Sequence, residues 1–309
     1  MVIVMNFFLP RLMPGSPVKT IMGEDAGSLT AVEKMGILEA YDLDKPMGQQ
    51  FLIYLRNLFT LQLGDSYARR RPILELIGSR MGWTLLLAGS NLVILTILGT
   101  ILGIRSAFQR KKGGGAGVLL ASAAVTSLPP FWVAMVLLSL FGVRLGWFPL
   151  YGAYDMWAGH RGLALVADVL RHLFLPLLTM VITEFMGFFT TARYGALQVM
   201  GEDYIRLARL RGIPKKRIRM GYVVRNAMIP VFTMVMMDVG YLLSGSVLIE
   251  TVFSYPGLGT LMQEAVEARD YPLIQYTFLV SSVMVIGALW LADSLHRFVD
   301  PRREEDPDE

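Results

Sequence analysis

Apolar residues in this chain fall in long unbroken runs, not at the alternations of a half-buried strand or a surface helix. Four runs, roughly Trp83–Ile104, Val118–Phe141, Met228–Ile249 and Ile274–Leu295, reach the roughly 20 residues that cross a hydrocarbon layer about 30 Å thick. A fifth, roughly Leu173–Thr191, is apolar apart from Glu184. The N-terminal run MVIVMNFFL is stopped by Pro10 and Arg11 and is too short to span. It lacks the basic start and small-residue cleavage site of a signal peptide. It reads as the outer end of a first helix, with the expectation that residues precede Met1 in the natural protein. The pattern predicts an all-α integral membrane protein, a single bundle over 1–309 with about six transmembrane helices.

Composition agrees with this. The chain is 54% hydrophobic and 17% charged, against about 25% charged in ordinary soluble domains, and its mean hydropathy is +0.49. The net charge of +4 lies in short loops between the runs, where topology explains it better than nucleic acid does. Arg105, Arg110, Lys111 and Lys112 follow the second span. Arg193, Arg206, Arg209, Arg211, Lys215, Lys216, Arg217, Arg219 and Arg225 follow the fourth, against only Glu202 and Asp203. With the basic C-terminal segment, these loops mark one side as cytoplasmic and place both termini there. A long charge-balanced segment, about 14–80, lies on the other side.

Candidate chemistry is sparse. The absence of cysteine excludes disulfides, thiolate metal sites and cysteine nucleophiles. His160, His172 and His296 show no metal-ligand spacing. There is no phosphate-binding P-loop, and Gly113–Gly117 reads as a flexible loop. An intramembrane hydrolase would need a catalytic constellation within the spans, and none is present. No cofactor or metal is expected on this chain.

The richest stretch is GEDYIRLARLRGIPKKRIRMGYVVRNAMIP, Gly201–Pro230. Asp203 is placed to cap a helix beginning at Tyr204, and Gly212 and Pro214 to end it. Such a helix is too short to persist alone in water, and Tyr204, Ile205, Leu207, Ala208 and Leu210 make much of it apolar. From the residues alone, it either lies on the bilayer surface with its arginines at lipid phosphates or docks into a partner.

D-Y-I-R-x-A-R-x-x-G followed by R-N-A-x-x-P resembles the EAA loop of ABC importer permeases, in the form found in the dipeptide/oligopeptide/nickel family. Counted back from Gly212, the general E-A-A-x-x-x-G pattern has Arg206 and Leu207 at its first two positions and keeps only Ala208 of its E-A-A, and the spacing to Pro230 is longer, as in the peptide branch. Further resemblances follow in the family's order. These are RLMPGSP at Arg11–Pro17, LGDS at Leu63–Ser66, SLPPFWVAMVLLSLFGVRLGWFPLYG, ETVFSYPGLGTLMQEAVEARDYPLIQ at Glu250–Gln275, and DSLHRFVDPR at Asp293–Arg302. Together they cover nearly the whole chain.

The resemblance implies a type I ABC importer permease bundle in a prokaryotic inner membrane, forming a solute path; di- or oligopeptides are the expected solutes, and importers of nickel chelates, glutathione and oligosaccharides share these motifs. It implies a second permease subunit, two cytoplasmic ATPases that hold ATP and Mg, and an extracytoplasmic solute-binding protein. The loop at about 193–227 would couple to the ATPases through Asp203, Tyr204, Arg206, Ala208, Arg209, Arg211 and Gly212. An ion-gradient-driven secondary transporter is the rival reading; it favours internal repeats and broken midplane helices, neither of which is visible.

Asp238, within the run MVMMDVGYLL, either lines the path or partners a polar group on another helix, and Glu184 poses the same choice. Asp293 is expected to pack near the basic loop, with Arg193 or Arg225 as partner. Glu250 and the Pro256, Gly257, Gly259 turn just outside the fifth span are further candidates for the path. The turn either returns the chain to the membrane or forms a re-entrant element.

Overall fold

The computed structural model describes residues 2–12, 21, 30–40, 42–109, 117, 118, 120, 124, 126–241 and 247–299. Among them the chain is helical throughout, apart from loops and one isolated antiparallel bridge between Asp65 and Pro72. The helices are α1 (Val2–Arg11), α2 (Ala31–Ala40), α3 (Met47–Phe59), α4 (Ile73–Phe108), α5 (Pro130–Leu137), α6 (Leu163–Gly201), α7 (Asp203–Leu210), α8 (Arg225–Tyr241), α9 (Val247–Val252), α10 (Leu258–Ala268) and α11 (Tyr271–Val299). Wider π-helical turns continue α5 through Leu138–Arg144 and, with Lys215–Arg217, lead into α8 through Ile218–Val224.

Among the described residues, four stretches are long and apolar enough to cross a membrane: Ile73–Phe108, Leu163–Gly201, Lys215–Val239 and Tyr271–Leu291. The shorter apolar helices Val2–Arg11 and Pro130–Arg144 stand where two further spans were expected. The uninterrupted third span at Val118–Phe141 is a misreading. Residues 127–129 are non-helical, because Pro130 brings no N–H and bars helical geometry from the residue before it. The fifth span begins at Lys215, earlier than its apolar pattern, because the π-helical turn carries basic residues into the helix. RLMPGSP beyond Leu12, the glycine run at 113–116 and the tail beyond Val299 lie outside the described residues, as do the side chains of Asp293 and His296.

The chain divides into two compact units. The first is Met1–Thr84 with Pro256–Val283. Here α1 is tied to α11 by polar groups that an apolar environment strengthens. Asn6 Nδ2 donates to the Gln275 carbonyl at 2.6 Å and to Tyr54 Oη at 3.2 Å, and Gln275 Nε2 donates to the Phe7 carbonyl at 3.2 Å. Burial pushes the pKa of the Tyr54 phenol above its ordinary value. The Arg11 guanidinium lies 3.6 Å over the Phe7 ring and donates to Gln50 at 3.0 Å.

Asp270, wholly buried, explains two of the sequence motifs at once. One carboxylate oxygen accepts from Ser66 Oγ at 2.5 Å and the Ala68 amide at 3.0 Å. The other accepts from the Leu273 amide at 3.2 Å and so caps the start of α11. Arg69 and Glu264 pair nearby.

The second unit is Leu85–Tyr255 with Met284–Glu309. Its spine is α6, on which α5 and α9 also pack, and against which α4 and α8 come close at glycines. A Cβ on Gly99 would come within 2.5 Å of Phe188 Cβ, and one on Gly103 within 2.9 Å of Ala192 Cβ. On α6 itself a Cβ on Gly195 would meet Pro230 at 2.9 Å, and one on Gly187 would meet Met234 at 2.7 Å. Gly99 and Gly103 form a G-x-x-x-G pair, the spacing that lets two helix backbones approach closely in lipid.

Asp270→Ala is expected to destabilise the first unit by about 3 kcal/mol, the scale of losing hydrogen bonds to a buried charge. Ser66→Ala should cost less, because two backbone donors to the carboxylate remain. Thermal melting of the detergent-solubilised chain checks both, and an unshifted transition for Asp270→Ala would refute the assigned role.

Candidate functional site

The basic stretch Gly201–Pro230 folds onto its own bundle. After α6 ends, Glu202 is extended and α7 runs over Asp203–Leu210. Glu202, not Asp203, occupies the capping position, with no side-chain cap bond. Asp203 lies in the first turn, where its charge faces the positive end of the helix dipole. The other end follows the sequence expectation. Gly212 has φ +71°, its amide donates to the Arg209 carbonyl at 3.1 Å, and the Ile213 amide donates to the Ala208 carbonyl at 3.2 Å. This pair of bonds is a Schellman termination, which favours glycine because a Cβ strains the left-handed backbone. Pro214 then starts the next helix.

α7 has two faces. Ile205 and Ala208 are 0% and 4% exposed, in a cluster with Ala192 and Ala196 of α6, Ile218 and Val223 of the π-helical turn, and Ala227 and Val231 of α8. Asn226 Nδ2 donates to Tyr204 Oη at 3.1 Å, so the D-Y-I-R and R-N-A segments touch across 22 residues of chain. This corrects the expectation for Ala208. Its small side chain lets α7 approach α6 and α8, and it is not presented to a partner. The outward face carries Arg206, Arg209 and Arg211 with Leu207 and Leu210, the leucines 54% and 77% exposed. Arg193 lies within α6, since that helix runs on to Gly201, so the connecting loop is shorter than 193–227.

A second set of polar groups lies inside the same unit. Asn91 of α4, 3% exposed, donates from Nδ2 to Glu184 Oε2 of α6 at 2.6 Å, while its Oδ1 is buried with no hydrogen-bond partner among the described residues. Asp238 of α8 is half-buried, and α8 packs on α6, the helix that carries Glu184. The structure thus joins Glu184 to Asn91 on another helix, which their sequence positions did not reveal. Asn91 went unnoticed in the sequence; the signal was a lone amide in an otherwise apolar run.

The remaining candidates are distributed. Glu250 is buried in α9, which packs on α5 and α6. Pro256, Gly257 and Gly259 belong to the first unit. Gly257 is extended at φ −95°, ahead of α10, and Gly259 is helical within it. Neither glycine supplies the left-handed turn; Ser254 has the positive φ, at 44°. The Leu258 amide, at the start of α10, donates to Thr84 Oγ1 at 2.8 Å. Among the described residues, no group of three or more His, Cys, Asp or Glu could hold a metal ion.

Residues 99–305 match the family described as binding-protein-dependent transport system inner membrane component. The di/tripeptide transport system permease protein DppB of Pseudomonas aeruginosa is 33% identical, over 97% of this chain and 93% of its own length. The glutathione transport system permease protein GsiC of Escherichia coli is 34% identical over 96% of this chain and 92% of its own. GsiC of Pectobacterium atrosepticum is 34% identical, over 97% and 92%.

The turn after α7 generates a test. A Cβ at Gly212 would meet nothing within 4 Å, so Gly212→Ala should cost only the backbone strain, about 1 kcal/mol. Gly212→Asn should recover most of it. Amide hydrogen exchange at Gly212 and Ile213 is the readout, and equal protection in the wild type and Gly212→Ala would refute the assignment.

Proposed function

We propose that this chain, which belongs to the family of binding-protein-dependent transport system inner membrane components, couples solute passage to separate ATPase subunits through the outward face of α7. The chain is a membrane permease and not an enzyme, and family membership sets aside the ion-gradient alternative. In the proposed assembly it pairs with a second permease subunit. Two ATPases, carrying ATP and Mg, lie on the side of the basic loops, which we take as cytoplasmic together with both termini. A solute-binding protein delivers from the other side. Di- or oligopeptides are the proposed solute class, since the relatives are named as di/tripeptide and glutathione permeases.

One observation carries this reading: α7 is anchored by Ile205 and Ala208 while Leu207 and Leu210 are exposed beside arginines. Large apolar side chains exposed on an anchored, basic helix fit a docking element better than a connector. Because α7 shares its packed cluster with α6 and α8, a displacement of α7 by closing ATPases would reach the spans directly. Within the spans, Asp238, Glu184 and Asn91 are proposed to face the path, where two carboxylates would attract a peptide's ammonium group. Glu250, Pro256, Gly257 and Gly259 are proposed as further path residues.

Leu207→Asp with Leu210→Asp should leave insertion intact, since both side chains are exposed. The retained ATPase should fall at least about tenfold, the effect of losing about 1.4 kcal/mol of binding. Co-purification followed by solute-stimulated ATP hydrolysis reads this out, and wild-type retention with wild-type transport would reject α7 as the coupling element. Asp238→Asn should raise the KM for peptide uptake several-fold at unchanged membrane abundance. An unaltered KM would remove Asp238 from the path, and loss of the protein from the membrane would assign it a structural role.

A further inference from the structure

Three stretches set apart in the sequence meet at one cavity of about 310 Å³, lined wholly by residues of the first unit. Arg11 opens RLMPGSP, Asp65 belongs to LGDS, and Gln275 ends the segment that begins at Glu250. Ser66 and Asp270 hold two of these stretches together, but neither lines the cavity. Two opposite charges in the lining lack a partner of opposite sign. Arg11 is partly buried, and three of its five N–H groups are engaged, by the Phe7 carbonyl at 2.8 Å and by Gln50 Oε1 at 3.0 and 3.4 Å. Among the described residues no carboxylate pairs with it. Asp65 is exposed and makes no hydrogen bond or ion pair among the described residues, whereas Asp42, the other acid in the lining, pairs with Lys45. Arg11 and Asp65 thus border one space without pairing with each other. Tyr276 is the third unmet group. It is 4% exposed, sets its ring 5.7 Å from that of Tyr54, lines the cavity, and makes no hydrogen bond among the described residues. A buried hydroxyl left without a partner is costly and calls for a water or a ligand group.

We propose that this cavity binds a small zwitterion, a dipeptide or a free α-amino acid, with its carboxylate on Arg11, its ammonium on Asp65 and a hydrogen bond to the Tyr276 hydroxyl. Asp65 and Asp42 oppose a simple anion, and Arg11 opposes a simple cation, so a ligand bearing both charges is the one that leaves neither unmatched. Partial burial over the Phe7 ring strips water from the guanidinium and strengthens its attraction for a carboxylate. The volume lies at the small end of ligand cavities, which run from roughly 300 Å³ upward, and so favours a ligand of one or two residues. In the importer proposed above, the cavity would hold solute apart from Asn91, Glu184 and Asp238. The binding itself does not rest on that reading.

The test uses the full chain purified in detergent, with no binding protein present to hold solute itself, and equilibrium binding of radiolabelled L-alanyl-L-alanine and L-alanine. Saturable binding is expected, and the tighter of the two fixes the length of the ligand. Asp65→Asn, at an exposed side chain, should weaken it at least about tenfold, the scale of one charge-assisted contact. Tyr276→Phe, which removes only the hydroxyl, should weaken it several-fold. Binding of N-acetyl-alanyl-alanine, which has no ammonium, should be weaker in the wild type and unaltered by Asp65→Asn. Alanyl-alanine amide, which has no carboxylate, should likewise be insensitive to Arg11→Gln. These pairings separate lost recognition from a disturbed fold. Binding of neither zwitterion overturns the proposal, as does equal affinity for the free and the blocked peptides, or an affinity unchanged by Asp65→Asn. Binding abolished by Asp238→Asn and indifferent to Asp65→Asn would place the ligand in the second unit, overturning this site while supporting the proposed path.

Discussion

Close approach of helix backbones to α6 is the constraint on which the second unit depends. In lipid, apolar side chains gain nothing by leaving hydrocarbon for one another, so helices associate through van der Waals contact and internal polar groups. Gly99 and Gly103 bring α4 against Phe188 and Ala192, and Gly195 brings α8 in at Pro230. Side chains at these glycines would drive the helices apart and separate Asn91 from Glu184, whose 2.6 Å bond needs that proximity. Pro230 fits within α8 because α6 presents glycine and not a larger residue opposite it.

The same packing extends past the end of the spans. Ala192 and Ala196 of α6 continue the small-residue face to the point where Ile205 and Ala208 cover it. A helix of eight residues, too short to persist alone, is ordered by that apolar contact, by the Schellman termination at Gly212 and by the Asn226–Tyr204 bond. The basic outward face and the buried inward face are thus two consequences of one amphipathic pattern. Asp270 plays the corresponding part in the first unit, where one carboxylate joins a loop to the start of a helix about 200 residues away in sequence.

Much of this was legible in the sequence. Apolar runs located the long helices, and glycine before proline located the end of α7. The misreadings have physical causes. Hydropathy is blind to backbone geometry, so Val118–Phe141 read as one span although two adjacent prolines interrupt it. Composition shows that a side chain is small but not which surface it serves, so Ala208 was grouped with the coupling residues although it packs inward. Periodicity along one helix cannot reveal a partner on another, so Asn91 and Glu184 stood as isolated polar residues until α4 and α6 were in place. Asp270 lay in a recognised motif, yet its threefold acceptor role depends on Ser66, far off in sequence.

The length of α6 has a mechanical meaning. Its 39 residues, at about 1.5 Å each, make a rod of roughly 58 Å, near twice the thickness of the hydrocarbon it crosses. Pro176 is its only proline, so the portion from Glu184 to Gly201 is an uninterrupted lever about 25 Å long. Tilting that lever by about ten degrees about the Glu184 level swings its far end by roughly 4 Å, comparable to a rise of three helical residues. α7 follows directly on the far end of that portion.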